Sequence, residues 1–196
     1  MDILLFIPII LSLIISILFL PFWMKKARQI GLLWKDMNKL NSPKVPGSGG
    51  IVVVSAFILG VLVYLAIQTF YFNQTQNTVE IFALTTVILL LGGIGIIDDL
   101  FGWQHGGLSK RSRIVLVLLA AIPLMVINAG ESVIFIPNYG SINLGIIYPL
   151  IIIPLAIMVA STTFNFLAGH NGLEASQGIL ILSALAGVSI ITGSTW

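Results

Sequence analysis

The sequence predicts an all-α polytopic membrane protein of about six transmembrane helices with a small external β-hairpin. Of its 196 residues, 58% are hydrophobic and only 8% are charged, whereas a soluble domain has about 25% charged residues. The mean hydropathy is +1.09, and the few charges divide the chain into long uncharged windows. This composition excludes a soluble enzyme and a disordered region. It also lacks the basic stripe of a nucleic-acid-binding module, and with no cysteine it excludes disulfides and thiolate chemistry.

Uncharged windows define the predicted helices, because about 20 apolar residues at 1.5 Å each cross a hydrocarbon core of about 30 Å. The first window is longer than the apolar region of a signal peptide and is followed by no small-residue cleavage site, so we expect a retained helix. Pro123 predicts a kink in the fourth span. The six predicted spans are 3–24, 51–72, 81–97, 114–130, 145–164 and 177–192.

A hairpin is expected between the fourth and fifth spans. Within residues 132–144, two short β-prone runs flank the turn sequence Pro137-Asn138-Tyr139-Gly140, which is typical of a tight connection between strands. An irregular loop is the alternative interpretation.

All nine basic residues fall in two connections on one side of the predicted topology. The positive-inside rule makes that side cytoplasmic and places the N-terminus outside. Four of the seven acids share this side, so we expect any active site at the inner membrane boundary. The basic residues are Lys25, Lys26, Arg28, Lys35, Lys39, Lys44, Lys110, Arg111 and Arg113. The acids on the same side are Asp36, Asp98, Asp99 and Glu174, and those opposite are Asp2, Glu80 and Glu131.

Asp98 and Asp99 are adjacent acids at the point where the third span reaches the interface. Adjacent carboxylates repel and desolvation disfavours their charge, so the pair requires a cation or a proton donor. Mg²⁺ usually takes one or two carboxylates together with substrate phosphates. The pair therefore predicts a metal-assisted site, and a solvated helix end is the alternative.

Three further polar groups lie on the same side. The stretch 165–174 combines amides, glycines and a carboxylate. Amide oxygens ligate hard cations, glycines let a ligand approach the backbone, and amides recognise a base or a sugar by paired hydrogen bonds. A polar turn of the same composition is the alternative interpretation. The Pro/Gly-rich loop 36–50 is suited to phosphate binding at a helix N-terminus, but ordinary turns use the same residues. The basic cluster 110–113 either binds phosphate or contacts anionic lipid headgroups.

Taken together and in this order, these stretches resemble the polyprenyl-phosphate N-acetylhexosamine-1-phosphate transferase family, of the glycosyltransferase family 4 type. The form of the last stretch is closest to the archaeal and eukaryotic dolichyl-phosphate GlcNAc-1-phosphate transferase branch. The matching segments are 36–39, 46–50, 95–100 and 165–174. The resemblance implies transfer of GlcNAc-1-phosphate from UDP-GlcNAc to a polyprenyl phosphate, here dolichyl phosphate, with release of UMP. It also implies Mg²⁺ as cofactor, with Mn²⁺ as the alternative ion.

The same resemblance implies roles for individual residues. Asp98 and Asp99 match the catalytic acid pair, and Asn165 together with Asp99 matches the metal ligands. Lys110 and Arg113 are the two candidates for a cation that holds phosphate. The family's positions that bind the nucleotide substrate are matched by Gly49, Gly50, Asn171, Gly172 and Glu174.

Family members have about ten spans, which at about 20 residues each need more than 196 residues. We therefore expect residues 1–196 to form a single transmembrane domain that is the N-terminal part of a longer one. A non-catalytic remnant or subunit of the family is the alternative, and a transporter would instead place its charges around a midplane cavity. The implied partners are a UDP-sugar, the lipid phosphate and the membrane, without nucleic acid, and relatives imply a homodimer. The expected location is the cell membrane of a prokaryote or the endoplasmic reticulum of a eukaryote.

Overall fold

A computed structural model describes residues 3–136, 138–166 and 172–192, without the side chains of residues 3, 5, 103–105, 165 and 166. Within these residues the chain forms helices joined by short connections, with two small strand pairs. The helices are α1 (Ile7–Ile30), α2 (Gly50–Ala66), α3 (Thr78–His105), α4 (Lys110–Ala120), α5 (Ile122–Ile127), α6 (Ile153–Phe166) and α7 (Leu173–Thr192). The strands are β1 (Leu33–Lys35), β2 (Lys44–Pro46), β3 (Val133–Ile136) and β4 (Gly140–Asn143).

Four helical segments in the described residues are long and apolar enough to cross a membrane, and a fifth apolar helix is shorter. The second segment continues α2 through a π-helical turn, and a similar turn precedes α6. The four segments are Ile7–Ile30, Gly50–Tyr71, Thr78–Gly102 and Leu173–Thr192, and the shorter one is Tyr148–Phe164. The prediction of an all-α polytopic membrane protein is confirmed.

Two helices continue past the charges that ended the predicted spans. α1 runs to Ile30, and Gly31 then takes a left-handed φ of 78° so that its N–H reaches the carbonyls of Ala27 and Arg28. α3 has 28 residues, a length of about 42 Å. Charges end a hydrophobic window but not a helix, because Lys, Arg and Gln are good helix formers. The alternative interpretation of the acid pair as a solvated helix end is therefore wrong, since Asp98 and Asp99 both lie inside α3.

The fourth predicted span is divided into two short helices. The hydroxyl of Ser109 caps α4 by accepting a hydrogen bond from the backbone N–H of Ser112 at 3.1 Å. α4 ends at Ala120 and α5 begins at Ile122, with Pro123 in its first turn. Proline is accommodated there because a first-turn N–H has no intrahelical partner to lose. The kink expected at Pro123 is thus a break just before it.

Both strand pairs are antiparallel. β3 and β4 confirm the predicted hairpin, in a register that pairs Val133 with Asn143. β1 and β2 pair Leu33 with Pro46, in a stretch where the sequence predicted only a loop. Strands of three residues are too short for an alternating pattern to reveal them.

One end of the bundle collects the basic residues. The end of α1, the start of α2, the end of α3, the start of α4 and the β1–β2 hairpin meet there, and we call this region the basic end. The indole N–H of Trp23 donates to the carbonyl of Gly47 at 3.1 Å, and Arg113 pairs with Asp98. All nine basic residues lie in the segments 25–44 and 110–113, which belong to this region.

Close packing of α1 against α2 depends on Gly60. A Cβ atom at this position would lie 3.0 Å from the carbonyl oxygen of Pro8 and 3.1 Å from the Cβ of Ser12. Small residues allow such approach of transmembrane helices. We expect Gly60→Val to lower the free energy of unfolding by about 1–3 kcal/mol, measured by thermal unfolding in detergent. Gly93→Val is the matched control, because nothing lies within 4 Å of a Cβ there; equal losses would contradict this packing.

Candidate active site at the basic end

Asp98 is held by the connection between α3 and α4. Its Oδ1 accepts a hydrogen bond from the backbone N–H of Leu108 at 2.8 Å, and its Oδ2 accepts from an Nη2 of Arg113. Gly107 has a left-handed φ of 81°, and a Cβ there would lie 3.1 Å from Oδ1. The connection therefore wraps around the carboxylate, and both oxygens of Asp98 are engaged.

Asp99 has a different partner in a different element. Its Oδ2 accepts a hydrogen bond from the hydroxyl of Ser48 at 2.9 Å, in the loop between β2 and α2. Consecutive residues of a helix do not face each other, so the two carboxylates point to separate neighbours. This division reduces the repulsion expected of adjacent acids and leaves Oδ1 of Asp99 without a hydrogen-bond partner in the described part of the chain.

Both acids line a cavity of about 890 Å³. Its polar end is formed by Ser48, Asp98, Asp99 and Arg113, and the rest of its wall is mostly apolar. Along α3 the lining extends from Leu84 to Asp99, a distance of more than 20 Å at about 1.5 Å per residue. The apolar wall includes Val54, Ile88, Leu124, Ile157, Phe164 and Leu182. The cavity is thus a long apolar groove that ends in two acids and one cation.

The two cations proposed for phosphate binding occupy different environments. Lys110 is the exposed first residue of α4 and does not line the cavity. Arg113 lies one turn further along, lines the cavity, and has a side chain that is 40% exposed. Its Nε is buried and has no hydrogen-bond partner among the described residues. Of the two, Arg113 is the one in position to meet an anion in the groove.

The glycines of the loop before α2 lie beside the acids. Gly50 is the first residue of α2 and lines the cavity. Gly49 is the N-cap of α2. Both therefore sit next to Ser48 at the polar end, which brings the predicted loop to the predicted acid pair.

The second predicted stretch is only partly described. Asn165 belongs to the last turn of α6, but its side chain lies outside the described residues, as does the whole of Asn171. Gly172 has a left-handed φ of 84° and precedes α7. Glu174 is exposed in the first turn of α7. Neither Gly172 nor Glu174 is among the described residues that line the cavity.

Ser48 is a site residue that the sequence did not single out. It is separated from Asp99 by 51 positions, and no spacing rule connects residues so far apart. The available signal was its position as the one hydroxyl within the run Gly47-Ser48-Gly49-Gly50.

The donor atoms at the polar end partly fit a hard divalent cation. In the portion that the structure describes, no group of three or more His, Cys, Asp or Glu side chains is arranged to hold a metal. Asp98 is committed to Arg113 and Leu108, whereas Asp99 keeps one carboxylate oxygen. Carboxylate oxygens suit Mg²⁺, which needs only one or two of them when phosphates complete its shell. Asp99 therefore fits as one ligand.

Comparison with known proteins identifies similar sequences. A provisionally named UDP-N-acetylglucosamine–dolichyl-phosphate N-acetylglucosaminephosphotransferase of Saccharolobus solfataricus is 35% identical over 96% of this chain and 56% of its own length. A similarly named protein of Sulfolobus acidocaldarius is 34% identical over 84% and 48%. The Dictyostelium discoideum protein named UDP-N-acetylglucosamine–dolichyl-phosphate N-acetylglucosaminephosphotransferase is 30% identical over 80% and 41%.

The chain spans about half the length of these curated relatives. The sequence model of glycosyl transferase family 4 matches residues 81–196, a segment that includes the acid pair, Arg113 and the stretch 165–174. Because that match covers more than half of the residues, the chain belongs to glycosyl transferase family 4.

Proposed function

We propose that this protein transfers GlcNAc-1-phosphate from UDP-GlcNAc to a polyprenyl phosphate, which the names of its relatives indicate is dolichyl phosphate. The observation that carries the proposal is the groove, because it joins an apolar channel to a polar end with two acids and one cation. A lipid phosphate has the same division into a long apolar chain and an anionic head. The relatives' names, which specify these two substrates, support the same reaction.

The apolar part of the groove suits the isoprenoid chain. Its wall combines side chains of several helices, including Ile88, Leu124 and Ile157. Gly95 also lines the groove, and nothing lies within 4 Å of a Cβ atom built there, so the α3 side of the groove is open at this position. Lateral entry from the bilayer would bring the lipid along this wall until its phosphate reaches Arg113.

Arg113 is the proposed phosphate-binding cation. Its guanidinium has five N–H donors in a planar fork. One of them, on Nη2, donates a hydrogen bond to Asp98. The buried, unpartnered Nε–H would donate a hydrogen bond to a phosphate oxygen in the groove. Asp98 fixes the position of the guanidinium, and the phosphate would use the donors that Asp98 leaves.

The proposed metal is Mg²⁺, with Mn²⁺ as the alternative, held by Asp99 and by Asn165. When bound, such an ion would offset the negative charge of the diphosphate of the nucleotide sugar. Asp99 offers a carboxylate oxygen at the polar end. Gly49, Gly50, Asn171, Gly172 and Glu174 are the proposed contacts of the nucleotide.

The reaction requires positioning more than proton transfer. A phosphate monoester has a second pKa of about 6, so the lipid phosphate is largely deprotonated at pH 7 and needs little general base. One of its oxygens attacks the β-phosphorus of UDP-GlcNAc, a new P–O bond forms, and the bond to the bridging oxygen breaks so that UMP leaves with that electron pair. Arg113 holds the attacking phosphate in line and offsets its charge.

The direct test is transfer by the intact purified protein. Radiolabelled UDP-GlcNAc, dolichyl phosphate and Mg²⁺ should yield a labelled lipid diphosphate together with one equivalent of UMP, and removal of divalent ions with EDTA should abolish both. A protein that binds both substrates but forms neither product would support the non-catalytic alternative.

We further propose that the basic end faces the cytoplasm, because all nine cations lie there and positive residues are retained on that side. The absence of cysteine allows a clean labelling test. Leu40→Cys and Tyr139→Cys place single thiols at side chains that are 96% and 85% exposed, at opposite ends of the bundle. In intact cells of a prokaryotic host, a membrane-impermeant maleimide should label Tyr139→Cys, and Leu40→Cys only after permeabilisation. The reverse pattern would contradict the orientation.

A further inference from the structure

Ser48 has an unusual backbone conformation for its residue type. Its φ is +56°, in the left-handed region that glycine adopts freely and that costs other residues free energy. Gly47 and Gly49 flank it. Glycine, the residue that best fits a left-handed φ, is thus used on both sides of position 48 but not at position 48 itself. Ser48 is also almost fully buried, at 9% exposure. A strained, buried serine among glycines points to a use for its hydroxyl.

The hydroxyl of Ser48 contacts one oxygen of Asp99. The distance from Oγ to Oδ2 is 2.9 Å, and hydrogen bonds to a carboxylate are stronger than those between neutral groups. Within the described residues, the other oxygen of Asp99 keeps no protein partner. The contact therefore fixes the carboxylate and leaves one oxygen for a ligand.

The loop that carries Ser48 is itself anchored. The carbonyl of Gly47 accepts a hydrogen bond from the indole of Trp23 at 3.1 Å, and the N–H of Gly47 donates to the carbonyl of Leu32 at 3.1 Å. Leu32 is fully buried. Gly47, the residue before Ser48, is thus held by hydrogen bonds on both its N–H and its carbonyl. The position of Ser48 is therefore set by its own loop, and its hydroxyl orients the Asp99 carboxylate instead of moving with it.

We propose that Ser48 is a positioning residue for Asp99, which it orients to bind the divalent cation of the reaction. The assignment rests on the proposed function for the identity of that cation. It differs from the roles of the acids themselves, because Ser48 is assigned to act through Asp99 and not to bind the phosphate or the metal itself. It also couples the glycine loop before α2 to the acid pair of α3.

The test separates the hydroxyl from the backbone strain. Ser48→Ala removes the hydroxyl and keeps the strained backbone, whereas Ser48→Gly removes both. Mn²⁺ binding to the intact protein, followed by electron paramagnetic resonance, should weaken by about 10-fold or more in both variants, as for other groups that orient metal ligands. Ser48→Gly should at the same time unfold at a temperature equal to or above that of the wild type, since its strain is relieved.

Thr85→Val is the matched control. Thr85 is also buried, at 7% exposure, but its hydroxyl bonds to the carbonyl of Ile81 within α3 and does not line the cavity. Its Mn²⁺ affinity should equal that of the wild type. Wild-type affinity in both Ser48 variants would overturn the proposal, as would a wild-type protein that binds no Mn²⁺ at millimolar concentration. Normal Mn²⁺ binding with the expected Ser48 losses but no sugar-phosphate transfer would instead overturn the proposed function alone.

Discussion

Asp99→Asn is expected to lower kcat for GlcNAc-1-phosphate transfer by about 100-fold or more, comparable to the loss of a major electrostatic contact in other active sites. The amide is isosteric with the carboxylate and still accepts the hydrogen bond that Ser48 donates to Oδ2. The substitution removes the negative charge with which the Asp99 carboxylate would attract a divalent cation. The effect should therefore fall on catalysis and metal affinity while the thermal unfolding of the variant stays near that of the wild type.

The measurement for Asp99 is initial-rate transfer over a range of Mg²⁺ concentrations, with Glu131→Gln as control. Glu131 is an exposed acid near the β3–β4 hairpin, at the opposite end of the bundle, and its substitution should change the rate less than about two-fold. Full transfer activity in Asp99→Asn would contradict the assignment of Asp99 to the active site.

Arg113→Ala is expected to raise the KM for dolichyl phosphate by about 10- to 100-fold. This range corresponds to about 1.5–3 kcal/mol, the contribution of a hydrogen bond to a charged group. The substitution also leaves Asp98, whose side chain is 23% exposed, without its cation, so the variant should unfold at a lower temperature. Arg113→Lys should restore part of the stability but less of the affinity, because an ammonium lacks the planar fork.

Lys110→Ala is the control that separates the two candidate cations. It lies on the same helix and carries the same charge, but it is exposed and does not line the cavity. Its KM for dolichyl phosphate should stay within about two-fold of the wild type. A large effect at Lys110 with little effect at Arg113 would reverse the assignment made from the cavity.

The transmembrane architecture was predictable because the bilayer makes hydrophobicity almost the only requirement for a span. The same criterion failed where helices leave the apolar window. α1 extends to Ile30 and α3 to His105, since backbone hydrogen bonding continues in water after the apolar residues end. The break before Pro123 was predictable in kind from the proline, but its position depends on how α4 and α5 pack.

The residue types that meet at the candidate site were predictable from the sequence, and the contacts they make were less so. Asp98 and Asp99 were expected to act as a pair, yet one engages Arg113 and the other Ser48. Which partner each acid takes is set by the rotation of α3 and by the β1–β2 hairpin that carries the glycine loop. Three-residue strands and a contact across 51 positions leave no periodic trace in a sequence.

The length of α3 before its acids also sets the depth at which the chemistry occurs. Twenty residues separate Thr78, the first residue of α3, from Asp98, a rise of about 30 Å, which equals the thickness of the hydrocarbon core. A lipid phosphate diffusing in the leaflet at the basic end would travel at that same height. The lipid acceptor would then not have to move out of the bilayer to react. Such a movement would expose its isoprenoid tail to water at a cost of about 0.8 kcal/mol per methylene. The lipid would then reach the enzyme by lateral diffusion within the leaflet, because the length of α3 places the acids at the depth of the lipid phosphate.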